Sequence, residues 1–354
     1  MGADAAPRVE AEGALSAVRE ADVEVVLVGD EERVRAALGA AAPRGLPAAV
    51  TVVHAPEVIT MHDPPSIAVK QKKRSSMRVC FDLLKAGKVN ALVSAGNSGA
   101  MMACGLFVLG RSPGVERPAI VTTLPTPKGS CVMLDVGANV EPRPHVLTQF
   151  AVLGSVFARL RHGRQRPKVG LLSNGSEEHK GTGLTRETHQ LLERAREAGA
   201  HRAAFEYLGY VEGRDIFRGD VDVIVTDGFT GNVLLKGFEG LAEAVFHMVA
   251  DEVAQGSLLE KMGALFMRPA LRRFRRRTDY AETGGAPLLG VEGVAIISHG
   301  GSDARAIKNA ILTAAQFAQM DLAEALRSAV RDHAFLWQDD PEPAAGGALG
   351  GLPS

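Results

Sequence analysis

The chain has 354 residues, 46% of them hydrophobic and 23% charged, as in an ordinary globular protein with room for a large core. A net charge of -1 excludes a global field that would attract nucleic acid. The sequence contains no apolar run long enough to span a bilayer and no secretory signal pattern. Cys80, Cys104 and Cys131 lie in apolar runs without CxxC spacing. We therefore expect a cytoplasmic protein with reduced core thiols, no disulfide, no metal and no cofactor.

Short apolar strands alternate with helical stretches along the first part of the chain. A helical pattern over residues 9–19 precedes a predicted strand at Val23–Val28. A helix capped near Asp30 and a second strand at Val50–Val53 follow. This alternation is typical of an α/β protein with a parallel sheet.

A basic run, Lys70-Gln71-Lys72-Lys73-Arg74, stands before a predicted helix from Ser76 to Lys85. Such a run is compatible with a solvated helix end. It is equally compatible with a docking patch for an acidic partner or a phosphate.

The stretch Ala91–Ala100 reads as a buried strand, a tight turn and the start of a helix. Gly96 and Gly99 would let the backbone approach a ligand, and free N–H groups at a helix start favour an anion. Taken alone, an ordinary strand-to-helix turn explains this stretch slightly better than a phosphate or oxyanion cradle does.

Three later strand ends carry polar residues. Asp135 lies at the carboxyl end of the predicted strand at Ser130–Val136, and a turn with His179 and Lys180 follows the strand at Lys168–Leu172. Asp227–Asn232 is a second glycine-rich loop between a strand and a helix, with Lys236 in the first part of that helix. Because open α/β sheets bind ligands at the carboxyl ends of strands, a second such loop favours the phosphate hypothesis.

The segment 240–280 combines apolar and basic residues. Leu258, Leu259, Leu265, Phe266 and Met267 stand directly before Arg268 and a dense arginine cluster that extends to residue 277. Apolar anchors beside arginines are typical of a segment that lies on an anionic membrane surface. A dimer contact with a solvated basic flank is the alternative, and the two are compatible.

The last part of the chain predicts a strand at Val291–Ser298 and a helix from Ala304 to about Val330. Residues 338–354 are rich in Pro, Gly and Ala, so we expect this tail to be disordered.

These motifs, in this order, resemble the bacterial PlsX family of phosphate acyltransferases. The matching stretches cover the chain to about residue 320. They are Met1–Asp4, Lys72–Met77, Ser94–Ala100, Thr123–Pro125, Asp135–Asn139, Gly175–Gly181, Glu212–Asp215, Asp227–Asn232, Gly284–Gly290 and His299–Asn309.

The resemblance implies an open, mostly parallel sheet with helices on both faces, like that of isocitrate and isopropylmalate dehydrogenases, with a protruding helical hairpin. It implies one acyltransferase domain over residues 1–335. The implied reaction converts acyl-[acyl carrier protein] and inorganic phosphate to acyl phosphate and free carrier protein, in phosphatidic acid synthesis. Implied partners are the acyl carrier protein, a second copy of the chain, the membrane and a downstream glycerol-3-phosphate acyltransferase.

This chemistry needs N–H donors and a cation for phosphate, and preorganised donors for the oxyanion of the thioester carbonyl. Which amide serves the oxyanion stays open among Asn97, Asn139 and Asn232. The candidate catalytic residues are Lys180, Asn97, Asn139 and His179. The candidate substrate-binding residues are Asp4, Lys73, Ser94, Gly96, Ser98, Gly99, Asp135, Asn174, Glu178, Asp227, Gly228, Thr230, Gly231, Asn232 and Lys236.

The sequence also departs from the family's usual pattern near its start. Ala3 and Ala5 replace more usual residues, and an apolar strand normally stands ahead of this motif. These departures leave the edge of the sheet and the position of Asp4 open. The rival hypotheses are a phosphotransacetylase-like enzyme that uses acyl-CoA, a dehydrogenase of the isocitrate type, and a non-catalytic membrane scaffold.

Overall fold

A computed structural model describes residues 1–177, 179–199, 202–278, 282 and 284–338. Apart from Gln338, the tail predicted to be disordered lies outside these residues, as does Glu178. The strands are β1 Val25–Gly29, β2 Val50–His54, β3 Ala91–Ser94, β4 Ala119–Thr126, β5 Gly129–Leu134, β6 Lys168–Leu172, β7 Glu206–Val211, β8 Val223–Val225, β9 Ala286–Leu289 and β10 Val294–Ile297.

Eleven α-helices are distributed among these strands along the described chain. They are α1 Arg8–Glu20, α2 Glu31–Ala41, α3 Pro65–Gln71, α4 Ser76–Lys85, α5 Ser98–Cys104, α6 Pro144–His162, α7 Gly183–Ala198, α8 Gly228–Gln255, α9 Leu258–Thr278, α10 Ala304–Gln319 and α11 Leu322–Asp332. A π-helical turn, Gly105–Leu109, continues α5.

The strands form two separate sheets. The larger has the order β3-β10-β9-β4-β5-β8-β6-β7, and β1 and β2 form a second, parallel sheet of two strands. Pairing is parallel for β3 with β10 and throughout β5, β8, β6 and β7, with helices packed on both faces. The predicted α/β class with a mostly parallel sheet is confirmed.

The two halves of the large sheet run in opposite directions. β10 is antiparallel to β9, β9 to β4, and β4 to β5. Three reversals in succession leave β5 antiparallel to β10. Consequently β3 and β10 end at one edge of the sheet, while β5, β8, β6 and β7 end at the opposite edge.

Each face of the large sheet has its own core. One core joins the sheet to α6, α10 and α11 and includes Phe150, Phe205 and Phe317, all fully buried. The other joins it to α4, α5 and the start of α8, and includes Phe81 and Met101. Burial on both faces explains why the central strands are continuous apolar runs rather than alternating ones.

Some boundaries differ from those predicted from the sequence. The helix expected from Ala304 to about Val330 is two helices, because the chain breaks at Asp321, whose φ of 47° is incompatible with a continuous helix. The sequence analysis also predicted no strand at Ala286–Leu289, where the structure has β9. β9 was missed because four apolar residues beside two glycines carry little periodicity.

The predicted helical hairpin consists of α8 and α9. Within it, Phe246 and Phe274 lie against each other with ring centroids 5.7 Å apart, which holds the two helices side by side. Apolar side chains nevertheless remain exposed along both helices. Among the described helices, none is both long and apolar enough to cross a membrane.

Candidate active site

The predicted site residues lie in two groups at opposite edges of the large sheet. We call the group that follows β5, β6 and β8 the Asp135 cluster: Asp135, Asn139, Asn174, His179, Lys180, Asp227, Gly228, Thr230, Gly231, Asn232 and Lys236. The group near the ends of β3 and β10 is the Asn97 cluster: Asp4, Ser94, Gly96, Asn97, Ser98 and Gly99. The two glycine loops, at Ser94–Ala100 and Asp227–Asn232, do not meet within a single chain, since their strands end at opposite edges.

Asp135 lies in the interior of its cluster, where its carboxylate is hydrogen-bonded to the surrounding backbone. The side chain is fully buried, and its Oδ1 accepts hydrogen bonds from the N–H groups of Ile120 and Ala138, both at 3.1 Å. Its Oδ2 accepts from the backbone N–H of Asn139 at 2.6 Å and from Asn139 Nδ2 at 2.9 Å. Burial raises the pKa of the Asp135 carboxyl, while these hydrogen bonds oppose the rise. The carboxyl group therefore shapes the loop 135–139.

The start of α8 is pressed against this loop at two glycines. Gly228 N–H donates to the Asn139 carbonyl at 2.7 Å, and a Cβ on Gly228 would lie 2.8 Å from Asp135 Oδ2. A Cβ on Gly231 would lie only 2.0 Å from the Asp135 carbonyl oxygen. Asp227 caps the helix, because its Oδ1 accepts the Thr230 N–H at 2.8 Å. Glycine is needed here for close approach of two backbones.

The loop 135–139 and the start of α8 form two walls of the cluster, and the turn after β6 forms the third. Asn174 Oδ1 accepts the Gly181 N–H at 2.8 Å, which closes the turn. The stem of Lys180 passes over Gly175, where a Cβ would lie 2.8 Å from Lys180 Cγ. Lys180 is half-buried, and His179 is exposed. The glycine thus gives the lysine a fixed path across the turn.

Because β5, β8 and β6 are adjacent and parallel, their carboxyl ends place these three walls side by side. The cluster combines a helix start, glycine backbone and the cation of Lys180. Such a combination suits an anionic ligand. Lys236 is one helical turn beyond Asn232 on the same face of α8 and is exposed.

The Asn97 cluster is held together differently. Asn97 is 8% exposed, and its Oδ1 caps α5 by accepting the Ala100 N–H at 3.0 Å. Its Nδ2 donates to the carbonyls of Thr60 at 3.2 Å, Met61 at 3.3 Å and Asp63 at 3.2 Å. The whole amide is engaged in fastening the loop 60–63 to the start of α5.

The remaining members of this cluster surround the end of β10. The Asp4 N–H donates to the Gly300 carbonyl at 3.1 Å, and the Asp4 side chain is exposed. Ser94 Oγ accepts the Gly96 N–H at 3.2 Å, and Ser98 is exposed at the start of α5. Lys73 is exposed on the loop after α3.

Sequence reasoning missed an ion pair that supports the Asn97 cluster. Lys72 Nζ lies 2.6 Å from Asp63 Oδ2 and also donates to the Val58 carbonyl at 2.9 Å. The same carboxylate oxygen accepts the Thr60 N–H at 2.6 Å. The hydrogen bond from Lys72, with that from Thr60, lowers the pKa of Asp63 to about 2. The basic run was visible in the sequence, but no sequence pattern indicated that Asp63, nine residues before Lys72, would pair with it.

This ion pair predicts how stability responds to acid. The pKa of Asp63 is lower in the folded chain than in the unfolded one, so its contribution is complete above about pH 4 and is lost as pH falls towards about 2. Asp63→Asn should therefore lower the urea midpoint at pH 7 and have a diminishing effect below pH 4. Lys72→Met should reproduce this pattern. An Asp63→Asn effect that is constant from pH 7 to pH 3 would contradict it.

The comparisons with known proteins agree with the geometry. A family model described as fatty acid synthesis protein matches residues 1–325. The chain belongs to this family. The resemblance to the PlsX phosphate acyltransferases is confirmed, and the protein is an acyltransferase.

Several relatives of this acyltransferase are each named phosphate acyltransferase. That of Syntrophotalea carbinolica is 53% identical over 311 residues, which is 88% of this chain and 86% of the relative. That of Geobacter sulfurreducens is 52% identical over 326 residues, which is 92% of this chain and 91% of the relative. That of Geotalea daltonii is 48% identical over 350 residues, which is 99% of this chain and 98% of the relative.

Solved structures show the same fold at much lower identity. A phosphotransacetylase from Streptococcus pyogenes matches this acyltransferase with a TM-score of 0.59 at 17% identity, covering 89% of this chain and 92% of that one. The EutD phosphotransacetylase from Staphylococcus aureus matches with a TM-score of 0.53 at 16% identity, covering 92% of both chains.

Proposed function

We propose that this acyltransferase moves an acyl group from the thioester of an acyl carrier protein to inorganic phosphate. The products are acyl phosphate and free carrier protein, and the acyl phosphate serves phosphatidic acid synthesis. The Asp135 cluster carries this proposal, because it sets a helix start, two glycines in close backbone contact and Lys180 along one edge of the sheet.

Phosphate binding is assigned to the Asp135 cluster rather than to the Asn97 cluster. Lys180 passes along the turn after β6, and Lys236 stands one turn into the neighbouring helix. Beside the Asn97 cluster, by contrast, the side chain of Lys72 is paired with Asp63. A dianion needs a cation in addition to backbone N–H groups, so the Asp135 cluster suits it better.

In the proposed reaction, a phosphate oxygen attacks the thioester carbonyl carbon, the C–S bond breaks, and the thiolate of the carrier leaves and takes up a proton. No enzyme thiol is needed as an acyl carrier. Burial raises the pKa of Cys80 to about 11 and the pKa of Cys104 and Cys131 to about 12, so all three remain protonated at neutral pH. Direct attack by phosphate is therefore favoured over a thioester on the enzyme.

The tetrahedral intermediate carries an oxyanion that needs a preorganised donor. Asn97 Nδ2 and Asn139 Nδ2 already donate to backbone carbonyls, the latter to Pro118 at 2.8 Å. We assign both a positioning role. Asn232 lies on α8 with its side chain 3.8 Å from the Cβ position of Gly137, facing the loop 135–139. It is the amide that we assign to the oxyanion, with His179 as a proton donor near the leaving group.

The carrier protein is proposed to dock on the basic run. Lys70 Nζ lies 5.5 Å from the centroid of the Phe107 ring, and Phe107 is 58% exposed. Ile67, on the same short helix as Lys70, is 52% exposed. Apolar side chains surrounded by Lys70, Lys73 and Arg74 suit the acidic, partly apolar surface of a carrier protein.

Charge reversal tests this docking. Lys70→Glu with Lys73→Glu should raise KM for the acyl carrier protein about tenfold, because like charges would then face each other. The same variant should turn over a small acyl-CoA donor at the unaltered rate. Arg19→Glu, an exposed reversal on α1, is the matched control. An equal loss with both donors would contradict docking at this run.

The hairpin is proposed to bind the membrane and to contribute to a dimer. Leu258, Leu259 and Phe266 are 76%, 78% and 80% exposed. They begin α9, while arginines follow along the same helix. Leu241, Val245 and Val249 form an exposed stripe on α8, where a second copy of the chain would pack.

Polar substitution tests membrane binding. Leu259→Ser with Phe266→Ser should lower binding to anionic liposomes by at least about 100-fold, since each of the two side chains contributes about 1.5–3 kcal/mol when it is buried. Co-sedimentation measures this, with Val140→Ser, an exposed apolar residue outside the hairpin, as the control. Unchanged co-sedimentation of the double variant would contradict the proposal.

A phosphotransacetylase-like enzyme that uses acyl-CoA is the second candidate, supported by the shared fold. The test supplies either long-chain acyl carrier protein or acyl-CoA, with and without phosphate, and measures acyl phosphate. Phosphate-dependent product mainly from the carrier supports the proposed function, and product mainly from acyl-CoA supports the second candidate. Absence of phosphate-dependent product from either donor would overturn both, and would favour a membrane scaffold.

A further inference from the structure

A pocket of about 510 Å³ opens at the edge of the large sheet where β5 ends. It is lined by residues 111–116, which precede β4, by the start of α6 and by Trp337. Because β4 and β5 are antiparallel, β4 begins where β5 ends. This pocket, which we call the Arg111 pocket, therefore lies at the same edge as the Asp135 cluster. Neither the proposed reaction nor the proposed docking of the carrier protein uses it.

The walls of the Arg111 pocket are held in place by hydrogen bonds within the chain. Gln149, which is 2% exposed, accepts the Glu116 N–H at 2.9 Å and donates from Nε2 to the Gly114 carbonyl at 2.9 Å. The buried Ser112 hydroxyl donates to the Val291 carbonyl at 3.0 Å. A ligand would meet a wall that is already ordered, which lowers the entropic cost of binding.

The pocket and its rim carry more positive than negative charge. Arg111 is exposed, and its Nη1 donates to the Glu116 carbonyl at 2.9 Å, which uses one of the five N–H donors of a guanidinium. The hydrogen bond between His145 Nε2 and the Glu116 carboxylate lowers the pKa of Glu116. The charges of Arg143 and Arg117, both exposed, act in the same direction. Three guanidinium groups beside one carboxylate favour an anionic ligand.

The pocket adjoins the loop that builds the Asp135 cluster. The Pro118 carbonyl accepts Asn139 Nδ2 at 2.8 Å, and Pro118 follows Glu116 by two residues, which span at most about 7 Å of extended chain. In the other direction, Arg111 follows Phe107 of the proposed docking surface by four residues, at most about 14 Å. Along this segment the pocket stands between the docking surface and the reaction cluster.

Both candidate donors carry the acyl group on the same kind of arm. Acyl carrier proteins and coenzyme A present their thiol at the end of pantetheine, and the other end of pantetheine bears a phosphate ester. Between the two ends the arm is uncharged, with a branched apolar part and amides. Arg111 suits the phosphate ester, while Val115 and Trp337 of the lining supply apolar surface for the neighbouring part of the arm.

We propose that the Arg111 pocket binds the phosphate ester of the phosphopantetheine arm, so that the thioester at the far end of the arm reaches the Asp135 cluster. Because the proposed function supplies the donor thioester, this role of the pocket rests on it. Arg111 would recognise the arm of either donor, whereas the basic run at residues 70–74 would contact only the carrier protein.

Binding of the free arm tests this role. Calorimetry should show phosphopantetheine binding about tenfold more tightly than pantetheine, because pantetheine lacks the charge-assisted hydrogen bond. Arg111→Gln should abolish this difference, and Arg111→Lys should keep part of it. Arg166→Gln is the matched control, since Arg166 is exposed beyond the other end of α6, and it should keep all of it. Equal affinities of the wild-type protein for the two compounds, or a difference that Arg111→Gln leaves unchanged, would overturn the proposal.

Inorganic phosphate is the other source of a phosphate group for this pocket. If the pocket serves the arm, saturating phosphate should leave the Kd for phosphopantetheine equal to that in chloride of the same ionic strength. A Kd that rises in proportion to phosphate would show that the pocket takes the free anion, and would overturn the proposal. These measurements need no turnover. Absence of phosphate-dependent product would therefore refute the proposed function separately from the role of the pocket.

Discussion

Lys180→Ala is expected to lower kcat/KM for phosphate about 100-fold while the protein remains folded. The stem of Lys180 lies across Gly175 at the surface of the Asp135 cluster, so its removal leaves the core intact. A charge-assisted hydrogen bond to an anion contributes about 1.5–3 kcal/mol, and its loss corresponds to a decrease of about 10- to 100-fold in kcat/KM. Lys180→Arg, which keeps the charge but changes its geometry, should recover only part of the activity.

The matched control for this prediction is Lys236→Ala, since Lys236 is exposed one turn further along α8. We expect Lys236→Ala to lower kcat/KM for phosphate less than tenfold. Steady-state kinetics at varied phosphate, with far-UV circular dichroism for folding, separates the two lysines. Lys180→Ala with unaltered kcat/KM would contradict its assignment. A larger decrease in kcat/KM for Lys236→Ala than for Lys180→Ala would indicate that phosphate binds closer to α8.

The sequence predicted the elements that have strong local patterns. The parallel α/β class, the polar residues at the carboxyl ends of strands, and the apolar and basic character of segment 240–280 follow from periodicity and composition. The folding of that segment into a helical hairpin was implied only by the resemblance to the family. β9 did not follow, because it is short and lies beside glycines that favour a turn.

The direction of strands was the feature that sequence patterns could not supply. β9, β4 and β5 are three antiparallel neighbours in a sheet that otherwise reads as parallel. Because direction depends on pairing between distant segments, the sequence could not show that Ser94–Ala100 and Asp227–Asn232 follow strands that end at opposite edges of the sheet. This separation supports the proposal that phosphate binds at the loop that begins at Asp227.

The role of a predicted residue was also harder to infer than its location. Asp135 was predicted to bind substrate, yet its carboxylate is buried and accepts hydrogen bonds from four donors: the N–H groups of Ile120, Ala138 and Asn139, and Asn139 Nδ2. Asn97 likewise fastens a loop. Residues that build a site and residues that act in it share the same position at a strand end, and only the partners of their polar atoms distinguish them.

The close approach of α8 to the loop 135–139 predicts the largest structural effect. Gly231→Ala would place a methyl group 2.0 Å from the Asp135 carbonyl oxygen and 3.0 Å from Thr226 Cγ2. Both neighbours belong to buried segments that cannot turn aside like a flexible side chain. Overpacking of this kind costs about 1–3 kcal/mol. We therefore expect a lower urea midpoint for Gly231→Ala, together with loss of phosphate-dependent turnover.

Gly237→Ala provides the control on the same helix, because a Cβ there meets nothing within 4 Å. This change should stabilise α8 by about 0.5–1 kcal/mol, since alanine is the better helix former. Opposite signs for the two variants would show that contact with Asp135, rather than helix propensity, requires glycine at 231. If Gly231→Ala instead matched Gly237→Ala in stability and retained full turnover, α8 would not be seated against the Asp135 loop, and the assignment of phosphate to this cluster would lose its structural basis.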